Sequence, residues 1–96
     1  MQVSADNPSL RAIARKLVWW KSPAQALADP LDLACRVMTL GAWDDVLIAR
    51  RELGDQQFRR ALQRPTPGVF DRRSWRYWHL VFGHTPVPPL PQRKLP

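Results

Sequence analysis

The side chains able to do covalent, acid–base or metal chemistry are few, and their spacing is poor for it. His79 and His84 are the only histidines, five residues apart with Gly83 between them. Cys35 is the only thiol, so no Cys-x-x-Cys or Cys/His cluster offers a zinc ion its ligands. It sits in the apolar stretch LDLACRVM, where a cysteine reads as a small buried hydrophobe and not as a nucleophile paired with His79. Asp44 and Asp45 are adjacent, and neighbours on a helix point apart, so they cannot easily share a substrate. The four glycines form no phosphate-cradling loop. This inventory predicts a chain without catalysis, cofactor or metal.

Binding chemistry is better supplied. The formal charge is +7, and it is one-sided. Residues 1–55 hold seven basic and seven acidic groups, while residues 56–96 hold eight basic groups against Asp71 alone. Arginine outnumbers lysine 12 to 3, and its planar fork suits carboxylate or phosphate. An acidic partner is implied, either a protein surface or nucleic acid. In DRRSWRYWHLVFG, residues 71–83, the side chains Trp75, Trp78, His79 and Phe82 fall on one helical face. That aromatic face is expected to close the core. Arg72, Arg73 and Arg76 then form the expected docking surface, against the plainer reading of a solvated charged face. In LIARRELGDQQFRRALQR, residues 47–64, a helix-turn-helix would use Arg59, Arg60 and Arg64 on nucleic acid. The turn fits imperfectly, because Ala49 and Gly54 are five apart where the motif has four. RKLVWWK, residues 15–21, could stack on single strands. The core reading is preferred there, with Trp20 inward and Trp19 over a neighbouring helix.

The ending HTPVPPLPQRKLP, residues 84–96, cannot be a helix or a central strand, since five prolines fix φ and lack a donor. It predicts a solvated polyproline II tail with few core contacts. Pro88-x-x-Pro91 followed by Arg93 is the pattern of a ligand for an aromatic groove. Pro88, Pro89, Leu90, Pro91, Arg93 and Lys94 are therefore partner-binding candidates.

The elements that must position these residues are short helices marked by caps. Asn7-Pro8, Ser22-Pro23 and Asp29-Pro30 each open one, Trp43 to Leu53 forms a fourth, Asp55 caps a fifth and Asp71 the last. RPTPG at 64–68 is a breaker, and no stretch alternates like a strand. The expectation is an all-α compact bundle of five or six short helices over residues 1–83, with an extended tail over 84–96. Its expected core is Trp20, Val37, Trp43, Leu47, Phe58, Leu62, Trp75, Trp78 and Phe82, with Leu33 and Leu40 also expected inward on the third helix. No apolar run approaches the roughly 20 residues of a membrane span. The N-terminus lacks a signal-peptide pattern, and a lone cysteine suits a reducing cytoplasm.

The order KLVWWKSPAQAL, GAWDDV, RSWRYWHLVFG and PPLPQR resembles a group of small bacterial proteins encoded beside AbiEii-type nucleotidyltransferase toxins. The likeness spans about residues 15–93, and RSWRYWH is its most specific part. It implies an antitoxin whose partner is the cognate toxin, with no catalysis in this chain.

Overall fold

At Asn7-Pro8, Ser22-Pro23 and Asp29-Pro30, where a capping side chain precedes a proline, the computed structural model starts a helix. It describes residues 6–91. The elements are α1 (Pro8–Leu17), α2 (Pro23–Leu27), α3 (Pro30–Leu40), α4 (Trp43–Leu53), α5 (Asp55–Gln63) and α6 (Arg72–Val81). Asn7 accepts the Leu10 N–H at 3.1 Å, and Asp29 accepts that of Asp32 at 3.2 Å. Ser22 and Gln25 form a reciprocal capping box. Asp71 accepts the Ser74 N–H at 2.7 Å. The described residues are all helical in their regular structure, and no helix is long and apolar enough to cross a membrane.

Helix α3 is the central rod and packs against each of the others. It therefore buries a wide arc: Leu33, Ala34, Cys35, Val37 and Met38. Around them Leu10, Ile13, Val18, Leu27, Ala49, Phe58, Leu62, Trp75 and Trp78 complete the core. Burial pushes the Cys35 thiol above its ordinary pKa, as befits an inert packing residue. Two buried carboxylates tie elements together. Asp32 binds Arg36 at 3.0 Å and accepts the Thr66 hydroxyl at 2.7 Å, which pins the 64–68 breaker onto α3. Asp45 accepts the Ala42 N–H at 2.9 Å and pairs with Lys16 at 2.6 Å, joining α4 to α1.

Several core expectations need correction. Trp20 is 48% exposed because α1 ends at Leu17, so Val18 turns inward in its place. Trp19, expected to cover a helix, is 76% exposed. On α4 the inward stripe is Val46, Ala49 and Leu53; Trp43 and Leu47 share a different stripe and face out. Leu40, the last residue of α3, is also exposed. Phe82 is half-buried at the edge of the core. Asp55 is no cap. It is the first residue of α5 and grips Arg50 through two bonds of 2.7 and 2.8 Å, which hold its carboxyl below the ordinary pKa.

Residues 84–91 are not the contact-poor tail expected. Val87 and Leu90 pack against the core, and the Trp75 Nε1–H donates to the Pro88 carbonyl at 2.8 Å. The reason is that a buried indole needs an acceptor, and this segment supplies one.

Candidate protein-docking surface

The rotation of α6 decides which side chains can meet a partner. Its inward face is fixed by three rings. Trp78 donates to the Met38 carbonyl at 2.9 Å and meets Phe58 edge-on at 5.3 Å. Trp75 meets Phe70 at 5.4 Å, and His79 is packed against Trp75 at 4.3 Å. The aromatic face thus closes the core, as the spacing predicts. Arg72, Arg73 and Arg76 are left outside.

After α6 the chain reverses at Gly83, whose φ of 76° suits a residue without a Cβ. The turn brings the Nδ1 atoms of His79 and His84 to 2.9 Å, so one ring donates and the other accepts. Burial, and after it the charge of His84, hold His79 below its ordinary pKa. Residues 84–91 then return along α6 as a strap. Arg72 and Arg76, one turn apart around Trp75, line an open cavity of about 430 Å³ with Val87, Pro89 and Leu90.

The candidate residues are therefore only partly assembled. Arg72, Arg76, Pro89 and Leu90 share one surface, beside exposed Pro88 and Pro91. Arg73 faces the other side of α6, toward Trp43 and Tyr77. Arg93 and Lys94 lie outside the described residues. The three arginines of α5 are split as well. Arg59 sits over the Phe82 ring at 5.2 Å, while Arg60 and Arg64 line a separate cavity with Gln57 and Leu31. None of these arginines has an ion-pair partner among the described residues.

Spacing alone misses two features. The strap contact could have been suspected from Trp75, since a tryptophan on a core-facing stripe has an N–H to satisfy. The exposed Trp43 could have been suspected from its i, i+4 partner Leu47, which lies off the Val46–Ala49–Leu53 stripe. No family model, curated protein or solved structure matches this chain.

Proposed function

We propose that this chain is a non-catalytic binding protein that counteracts a nucleotidyltransferase-type toxin, docking through α6 and the strap. The observation that supports it is a pair of arginines without ion-pair partners set beside apolar surface. Asp32, Asp45, Asp55 and Glu52 sit in ion pairs, while Arg72 and Arg76 face solvent beside an apolar floor with no ion-pair partner among the described residues. Arginine next to apolar and aromatic surface is the chemistry of interface anchors. A nucleotidyltransferase site carries acidic metal ligands and so presents negative potential when empty. A basic surface entering it gains Coulombic attraction, and a segment already pinned to α6 loses little conformational entropy. Arg93 and Lys94, outside the described residues, are assigned by their place in the sequence to the same proposed surface.

The test is co-expression with a nucleotidyltransferase toxin encoded beside this chain. Intact protein should restore growth, and Arg72→Glu with Arg76→Glu should abolish rescue while leaving the fold intact. Failure of the intact chain at equal toxin level overturns the reading. A second reading, DNA binding through α5, draws on Arg60 and Arg64 sharing one cavity. A gel-shift series in rising salt separates them, because simple phosphate attraction falls steeply with salt.

A further inference from the structure

Helices α4 and α6 flank the C-terminal end of α3 with their backbones apart, the Arg50 side chain of α4 reaching over the Trp78 ring of α6 at 5.9 Å. The gap is an open groove of about 390 Å³. Met38 and Thr39 of α3 form part of its lining, with Trp43 and Val46 from α4 and Arg73 and Tyr77 from α6. Trp43 is 61% and Tyr77 47% exposed. One turn further along, Leu47 and Val81 continue the two stripes and are exposed too. The Thr39 hydroxyl has no hydrogen-bond partner among the described residues. A Trp, a Tyr and an Arg around one concavity are the residue types that dominate binding hot spots.

We infer that this groove receives an acidic amphipathic helix of another protein, seated between Trp43 and Tyr77 with a carboxylate on Arg73. Charge selects the occupant. Arg73 has no carboxylate partner among the described residues, and the residues lining the groove include no carboxylate. A second copy of this chain also carries +7 and is repelled. Shape selects the form. The walls are helices, and the described residues hold no strand edge on which an extended peptide could add, so a helix laid between the walls is the occupant; enrichment of proline-rich peptides, the other mode an aromatic-lined groove admits, would overturn this. The site lies on the opposite side of α6 from the Arg72–Arg76 surface, so it stands or falls apart from the toxin reading.

The experiment is selection of displayed random peptides of about 15 residues, four helical turns, on the full chain. Enriched sequences should carry Asp or Glu together with apolar residues at i, i+4 and i+7. They should bind at least about tenfold more weakly to Trp43→Ala and to Arg73→Glu, both surface changes that leave the melting transition in place. Equal affinity for both variants overturns the inference. So does an absence of enrichment, enrichment of basic peptides, or loss of binding only with Arg72→Glu and Arg76→Glu. A dimer of the free chain that shields Trp43 also overturns it, since the occupant would then be a second copy.

Discussion

His79 is where acidity acts on this molecule. Its Nδ1 shares one proton with His84, it is 4% exposed, and its Nε2 has no partner among the described residues. Protonating both rings would place two N–H groups against each other. In the unfolded chain an imidazole takes a proton near 6.5, whereas folded His79 resists it. The unfolded state therefore binds more protons in that window, and stability should fall as pH drops below 6.5 toward the lower folded value. Above 6.5 both states are neutral and the contribution is complete. An NMR titration should place the His79 midpoint below 6.5, and His84→Ala should move it up; a midpoint above 6.5 contradicts the geometry. The pair was hidden in the sequence for a physical reason. Five residues separate the rings, and only the positive φ of Gly83, with the His84 N–H bonded to the His79 carbonyl at 2.8 Å, folds one back on the other.

Among the elements, the α3–α4 corner is the tightest. Gly41 has an ordinary φ, so freedom of the backbone is not why it is there. A Cβ at this position would lie 2.7 Å from the Val37 carbonyl oxygen and 3.3 Å from the Asp45 Cβ. Gly41→Ala should cost about 1–3 kcal/mol through overpacking. Chemical denaturation checks this, and an unchanged midpoint would show that the corner has slack. Helix starts were legible because capping and proline are local chemistry; Asn7, Ser22, Asp29 and Asp71 all behave as their types dictate. The faces of α4 were only half legible: spacing separates the Trp43–Leu47 stripe from Val46, Ala49 and Leu53, but does not say which one faces in. Trp43 and Leu47 look more apolar than Val46 and Ala49, but burial follows what α1, α3 and α5 leave room for, which hydrophobicity cannot reveal.

At the scale of the whole molecule, the basic half and the strap belong together. Removing residues 84–96 takes Val87 and Leu90 off the core and the acceptor from the Trp75 indole. That should lower stability by about 2–4 kcal/mol, not leave it untouched. Equal urea midpoints for the truncated and full chains would show the strap to be idle. The aromatic core of α6 was legible from spacing, since Trp75 and Trp78 are 4% and 2% exposed; the return of the strap was not, because it depends on a long-range bond between an indole and a carbonyl. The division of the tryptophans has an optical consequence. Two indoles are sealed in the core and three, Trp19, Trp20 and Trp43, meet water, so the chain carries its own fluorescent reporters at separate places. An occupant of the α4–α6 groove would shield Trp43 from a dissolved quencher, whereas release of the strap would expose Trp75 and redden its emission. Quenching and emission wavelength, measured on the unlabelled chain, thus distinguish a partner arriving at the groove from a strap leaving α6.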